Sequence, residues 1–334
     1  MRSVRFVGNS GVEMVDVAEP APGPDEVTVR TIHSALCGSE LHCYREHGAE
    51  NGNSGHEGLG RVVELGKNVK HLRVGDRVGV SAVAGCGDAT CAYCARGQST
   101  YCPKFKVTSS MHAEYFKAPA RSCLPIPDDI PDDAAVLLSG DGFGVPYHTS
   151  RKTLEADVRT VAIFGMGPVG LGNAMMQAHM GREVIAVDLS PYRLDYAKKL
   201  GAAHSINVKD GDAVEAIRQF TGGRGADVCI EAAGRPDTLK QCFAAVRTAG
   251  KVVINGEQQS VQLSPSNDFI RRDITAVGSW FFQIGEFDQM VDTYRKGLDV
   301  RKLVSHVLPG EDAAEAFETF AAGKSAKVLL DWNA

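Results

Sequence analysis

The chain has 334 residues, 43% hydrophobic and 23% charged, a balance that suits a soluble protein of roughly two domains. Its net charge of −5 without any basic block argues against nucleic acid or an anionic membrane as the main partner, and no stretch reaches membrane-span length free of glycine, proline or charge. The N-terminus, Met1-Arg2-Ser3-Val4-Arg5-Phe6, lacks the apolar core of a signal peptide, so the cytoplasm is the expected compartment, and there nine cysteines point to metal and away from disulfides.

From Met1 to about Ala82, short β-branched runs broken by Gly and Pro (Glu26 to Arg30, Gly60 to Glu64, Asp76 to Val80) predict an antiparallel β half. A different grammar begins near Arg159. The apolar run Val161-Ala162-Ile163-Phe164 meets Gly165-Met166-Gly167-Pro168-Val169-Gly170, which reads as strand, tight turn and helix. Gly165 allows the turn, Gly167 lets backbone amides approach a pyrophosphate, and Gly170 lets the helix press on the strand. Such a glycine turn alone is weak evidence. Support comes from a second apolar run, Val184-Ile185-Ala186-Val187, which ends in Asp188 about twenty residues past the glycines, where a carboxylate can bind ribose hydroxyls. A carboxylate there accepts from a free 2′-OH and repels a 2′-phosphate, so NAD is favoured over NADP. Arg193 either covers the adenine or a phosphate, or is a solvated helix charge.

Helical patterns at Pro191 to Leu200, Ala213 to Phe220 and Asp237 to Thr248 alternate with runs at Val184, Val228, Val252 and Thr275, the signature of a doubly wound parallel sheet. The tail carries a helical segment from Glu311 to Ala322, with Ala314, Phe317 and Phe320 on one face, then a strand at Val328-Leu329-Leu330 that is expected to return to the first domain.

Two groups of residues offer metal chemistry. Cys37-Gly38-Ser39-Glu40-Leu41-His42, Gly55-His56-Glu57 and Ser139-Gly140-Asp141 provide a thiol, imidazoles and carboxylates, and Cys37, His56 and Asp141 satisfy a catalytic zinc that needs three protein ligands and one open position. Singly, each also reads as a buried small hydrophobe, a loop histidine or a helix cap. The second group is Cys86, Cys91, Cys94 and Cys102, four thiols suited to a closed structural zinc site.

In this order the motifs resemble the zinc-dependent medium-chain alcohol and polyol dehydrogenases, the family that includes sorbitol, threonine and secondary-alcohol dehydrogenases. The resemblance runs over nearly the whole chain and includes Gly222-Gly223-Arg224-Gly225-Ala226-Asp227 and Glu311 to Phe317. It implies an α/β fold with a GroES-like β-barrel-type catalytic domain (residues 1–145 with 285–334) and a Rossmann doubly wound parallel-sheet domain for NAD (146–284), with chemistry in the cleft between. It also implies that Cys37 and His56 ligate the catalytic zinc, with Asp141 as third ligand and Glu57 as its rival or as a fourth. Glu40 stands where aspartate is more usual. In the four-thiol group the spacing departs from the family at its first member, so that Cys86 closes the site, Asp88 does, or the site is imperfect. Glu231 to Gly234, including Ala233, and Val277-Gly278-Ser279 occupy the sheet ends that flank the nicotinamide in this family, with Pro168 and Val169 at the phosphate turn.

The mechanism implied is hydride transfer from an alcohol polarised by zinc, with Ser39, the cofactor ribose and His42 relaying the proton outward. A homodimer or homotetramer is the implied assembly. Two other functions compete: a zinc-free quinone or enoyl reductase of the same superfamily, which generally lacks the Cys37 and His56 pair, and a non-catalytic cofactor-binding structural protein, which would lose the metal position or relay. For substrate, the polar loop from Tyr44 to Ser54 (Arg45, Glu46, His47, Glu50, Asn51) either favours a hydroxylated molecule or is simply exposed. Trp280-Phe281-Phe282-Gln283 either lines the cleft or fills the sheet edge.

Overall fold

The computed structural model describes residues 1–50 and 52–333, and the chain forms two compact units, one of residues 1–144 with 281–334 and one of residues 145–280. The first opens with a hairpin of β1 (Arg2–Gly8) and β2 (Gly11–Asp16), turned at Asn9 and Ser10 with φ of 50° and 61°, the left-handed pair that matches the twist of the flanking strands. The long strand β3 (Glu26–Ala35) leads into a short helix, α1 (Leu41–Arg45). Then follow β4 (Gly58–Leu65), β5 (Arg77–Val80), the small pair β6 (Val83–Ala84) and β7 (Lys106–Val107), β8 (Tyr115–Pro119) and β9 (Cys123–Pro125).

β3 is the axis of this unit. It pairs antiparallel with β4 and β8, and the sheet continues from β4 through β5 to β9. Its alternate residues Val27 and Val29 join Val62, Val78, Val80 and Phe116 in a fully buried cluster, each side chain contributing about 1.5–3 kcal/mol of burial. Helix α2 (Asp132–Leu138) and helix α3 (Asp141–Ser150) follow, the latter running across the boundary of the two units.

The second unit repeats strand and helix: β10 (Thr160–Phe164), α4 (Pro168–His179), β11 (Glu183–Asp188), α5 (Pro191–Lys199), β12 (His204–Asn207), α6 (Ala213–Phe220), β13 (Ala226–Glu231), α7 (Pro236–Ala245), β14 (Val246–Ile254) and β15 (Thr275–Gly278). All pairs are parallel and the strand order is β12-β11-β10-β13-β14-β15, the doubly wound arrangement. Every residue of β10 is buried, as expected of a central strand covered on both faces. The helix expected to reach Thr248 stops at Ala245: Val246 already has an extended ψ of 144°, and β14 begins there, taking a left-handed step at Ala249 (φ 54°).

The tail adds α8 (Phe287–Arg295), β16 (Val304–Pro309), α9 (Ala313–Ala321) and β17 (Lys327–Asp331). α9 starts two residues later than its pattern suggested because Gly310–Asp312 forms a 3₁₀ turn. β17 joins the first unit by pairing antiparallel with β3, Leu329 opposite Ala35 and Asp331 opposite His33. Phe317 of α9 meets Phe6 edge-on (4.9 Å) and stacks on Tyr44 (5.5 Å), contacts of about 0.5–1.5 kcal/mol each beyond burial. Among the described residues no helix is long and apolar enough to cross a membrane.

Candidate active site

β3, β4, β17 and the start of α3 together create one buried polar pocket. At the exit of β3, the Ala35 N–H donates to Glu57 O (2.9 Å) and the Leu36 N–H to Val328 O (3.0 Å), which ties Cys37 to the loop before β4 and to the last strand. Cys37, His56, Glu57 and Asp141 are all buried, and one ligand atom from each lies within 4.8 Å of the others. Asp141 Oδ2 is 3.2 Å from His56 Nε2 and 4.0 Å from Cys37 Sγ. His56 Nδ1 donates to Ser54 O (2.9 Å), which leaves the Nε2 lone pair for the pocket. Burial lowers the His56 pKa, yet Cys37 and Asp141 push it the other way, and it ends well above the ordinary value. Such a pocket favours a cation. Its sulfur, nitrogen and oxygen donors are those of a zinc site, so the residues present fit that metal.

Glu57 is differently placed from the other three. Its Oε1 accepts from the Lys327 ammonium and its Oε2 from the Gly142 N–H (3.1 Å), so both oxygens are already engaged. Lys327 and Glu57 are 1% and 0% exposed. Burial pushes the Glu57 carboxyl upward against the pull of Lys327, whereas Lys327 is raised because Glu57 and Cys37 outweigh its burial. Ser39 lies beside the pocket, its hydroxyl 3.4 Å from Cys37 Sγ, and His42 on α1 reaches the surface, 71% exposed and 3.3 Å from Glu46. Of the polar loop, Arg45 is committed to Ala321 O (3.1 Å), and Asn51 lies outside the described residues.

Three contributors escaped sequence reasoning in part or whole: Lys327, His112, and the reach of Glu40. Glu40 is buried with Oε1 3.3 Å from His56 Nδ1 and Oε2 3.0 Å from His112 Nε2. The only signal for Lys327 was a charge opening an apolar strand, and His112 carried none.

The four-thiol lobe also assembles. Cys86, Cys91, Cys94 and Cys102 each offer a sulfur within 4.8 Å of the rest, with Cys86 and Cys94 3.6 Å apart. Asp88 turns elsewhere, its Oδ1 accepting from Thr90 N (2.8 Å) and Thr90 Oγ1 (2.7 Å). Burial alone would raise Cys102, but the N–H groups of Cys86 and Lys104 donate to its sulfur and bring it to about 7, near the thiolate form a metal needs.

In the second unit the turn after β10 has the form that a dinucleotide phosphate requires. Gly165 has φ 93°, and a Cβ on Gly170 would lie 1.8 Å from Gly165 O, so neither tolerates a side chain. Gly167 faces open space, and Pro168 and Val169 begin α4. Asp188 Oδ2 accepts from Met166 N (2.6 Å), while its Oδ1 accepts from Leu189 N and Ser190 N (2.8 Å each), so the carboxylate braces the turn. Arg193 sits in the first turn of α5, its N–H on the Ser190 hydroxyl (3.4 Å). Ala233 N donates to Glu231 Oε1 (3.0 Å), and Ser279, 3% exposed, turns its hydroxyl to Thr149 Oγ1 (3.0 Å). In the aromatic run, Phe282 is core, Phe281 meets the His56 ring edge-on at 6.2 Å, and Gln283 Oε1 accepts from Thr100 N (3.2 Å).

Comparison with known proteins agrees with both halves. Residues 23–128 match the family described as alcohol dehydrogenase GroES-like domain, and residues 168–296 match zinc-binding dehydrogenase. An L-threonine 3-dehydrogenase of Deinococcus deserti is 31% identical over 337 residues, covering 97% of this chain and 96% of its own. Among solved structures, zinc dependent alcohol dehydrogenase 2 from Streptococcus pneumonia, in its apo form, has a TM-score of 0.85 at 30% identity, over 99% of this chain and 98% of its own. An alcohol dehydrogenase from Escherichia coli CFT073 complexed with cofactor NADH has a TM-score of 0.85 at 26% identity, over 99% of each chain.

Proposed function

Because this chain belongs to the zinc-dependent medium-chain alcohol dehydrogenase family, we propose that it oxidises the secondary alcohol of a small hydroxylated substrate, an amino alcohol, polyol or sugar alcohol, with NAD as partner. The alcohol loses a hydride from carbon and a proton from oxygen, giving a ketone, NADH and H⁺. Zinc, when bound, supplies Lewis acidity at the hydroxyl, and NAD supplies the hydride acceptor.

The chain's own residues do the rest. Cys37, His56 and Asp141 hold the metal, leaving a position for substrate, and Glu57 stays with Lys327 and Gly142 as a nearby carboxylate. Ser39, beside Cys37, accepts the hydroxyl proton as it passes its own hydrogen on towards His42, which at the surface releases a proton to water. The four thiols of Cys86, Cys91, Cys94 and Cys102 hold a second, structural zinc. Gly165 to Gly170 receive the pyrophosphate, Asp188 the ribose, and Arg193, Ala233 and Ser279 complete the cofactor side, the last through its backbone. A second copy pairs along the edge strand β15, whose Thr275, Ala276 and Gly278 are exposed, to give a homodimer or homotetramer.

The observation that carries this reading is the buried cluster of one thiol, one imidazole and one carboxylate, which a zinc-free reductase has no use for. NADH absorbance with a panel of L-threonine, sugar alcohols, vicinal diols and simple alcohols tests it. Turnover with a member of the panel, lost in Cys37→Ser while NAD binding persists, is expected. Full activity in that variant, or after rigorous metal removal, would overturn the mechanism.

A further inference from the structure

The geometry points to His112 as a positioning residue of the metal centre, one that fixes Glu40 so that its carboxylate charge stays beside the imidazole of His56. This rests on Cys37, His56 and Asp141 being the metal ligands.

The proton direction at the inner end of the chain of contacts follows from the carboxylate. Trp332 Nε1 is a donor only, and it gives its hydrogen to Ser34 Oγ (2.9 Å), whose hydroxyl lies 2.8 Å from His112 Nδ1. The Glu40 carboxylate can only accept, so His112 carries a hydrogen on Nε2 and donates to Glu40 Oε2 (3.0 Å). The other oxygen, Oε1, has no hydrogen-bond partner of good geometry among the described residues, and lies 3.3 Å from His56 Nδ1. The Oε1 charge thus stands beside the His56 Nδ1–H, whose hydrogen goes to Ser54 O (2.9 Å), and Nε2 is left as a lone pair for the metal.

Packing makes His112 difficult to move. It is 0% exposed, and a Cβ on Gly55, next to His56, would lie 2.5 Å from its ring, so the loop needs glycine there to let the imidazole in. Asn53 straps the two segments together: its Oδ1 accepts from Gly55 N (3.1 Å) and His112 N (3.2 Å), and its Nδ2 donates to His112 O (3.2 Å). Glu40 stands in a 3₁₀ turn with no side-chain cap, and among the described residues its carboxylate has one hydrogen-bonding anchor, the imidazole of His112. Without that anchor, Oε2 is a buried acceptor without a donor, and the carboxylate beside His56 is free to swing.

The test is metal affinity of the full-length protein, with cobalt(II) and zinc as probes, in His112→Phe, His112→Gln, Glu40→Gln and the double variant Glu40→Gln/His112→Phe. Difference spectra against Cys37→Ser isolate the mixed-donor site from the four-thiol site. His112→Phe keeps the ring and removes both nitrogens, so affinity at the mixed-donor site should fall about 10- to 100-fold with altered visible cobalt bands. His112→Gln, which retains a donor, should recover part of it. The double variant should be no worse than Glu40→Gln alone, because His112 acts through Glu40. Wild-type affinity and bands in His112→Phe, or additive losses in the double variant, would overturn the proposal while leaving the metal site standing. Should His112→Phe not fold, the same comparison is read from His112→Gln, which on this argument binds more weakly than wild type and is overturned if it does not. Wild-type protein with no metal dependent on Cys37 would remove the site itself.

Discussion

Replacing Lys327 by methionine keeps an unbranched side chain one atom shorter and removes its charge, stranding Glu57 in the interior. Both residues are almost wholly buried, and the ammonium donates directly to Glu57 Oε1, while Gly142 N holds only Oε2 (3.1 Å). Two unit charges about 4 Å apart interact by about 4 kcal/mol at an effective dielectric of about 20, and removing one member of a buried pair costs about 3–5 kcal/mol because the other is left uncompensated. The first unit should lose that much, roughly 6–20 °C in Tm for a body of its size. Urea unfolding of metal-free protein followed by tryptophan fluorescence in a Trp280→Phe background, which leaves Trp332 as the reporter, gives the free energy, with the slope expected to be unchanged. Adding Glu57→Gln removes the stranded charge and should recover most of the loss. A cost below about 1 kcal/mol in Lys327→Met, or no recovery in the double variant, would show that the pair does not behave as a buried ion pair.

Three other predictions follow from individual groups. Cys91→Ser should lower bound zinc by one equivalent per chain and expose the segment around Cys86 to Cys102 to proteolysis, while Cys37-dependent metal remains; mass spectrometry of the native protein counts the ions. Asp188→Ser removes both the brace on Met166 N and the carboxylate that repels a 2′-phosphate, so kcat/KM with NAD should fall about 10- to 100-fold and the preference over NADP should shrink; steady-state kinetics with both cofactors decides it. Asp227, although burial works to raise it, is pulled below the ordinary carboxylate range by the N–H groups of Thr160 and Arg159 and by Arg247. Its contribution is therefore present above the unfolded value of about 3.9 and is lost as pH falls through the lower folded value. Asp227→Asn should be less stable at neutral pH and show a flatter acid limb in urea titrations between about pH 5 and 2.

Legibility followed the distance over which information had to act. The β10 turn and α4 were readable because strand, glycines and helix are contiguous, and the geometry at Gly165 and Gly170 is local backbone sterics. The gathering of Cys37, His56 and Asp141 was foreseeable from residue types that share one chemistry only together with the family resemblance, because singly each also reads as a small hydrophobe, a loop histidine or a helix cap. Lys327 was not, because its partner lies 270 residues earlier, and the pairing depends on the register of β17 on β3. His112 was hidden in the same way, 72 positions along the chain from Glu40. The overshoot of α7 to Thr248 had a different origin: Cys242-Phe243-Ala244-Ala245-Val246 is an unbroken apolar run, and the left-handed step at Ala249 leaves no mark in composition. Asp88 rivalled Cys86 on paper only because spacing says nothing of where a short polar side chain turns, and here Thr90 claims it.

The position of β17 has a bearing on how the protein is made. A nascent chain emerging from the ribosome has presented Cys37, His56 and Asp141 long before Lys327, and until the final strand arrives the edge of β3 that it will cover stands open. A chain lacking β17 keeps the anionic ligands but not the neutralising ammonium, and it displays an unsealed sheet margin of the kind that invites aggregation. The metal pocket is thereby complete only once β17 has paired with β3.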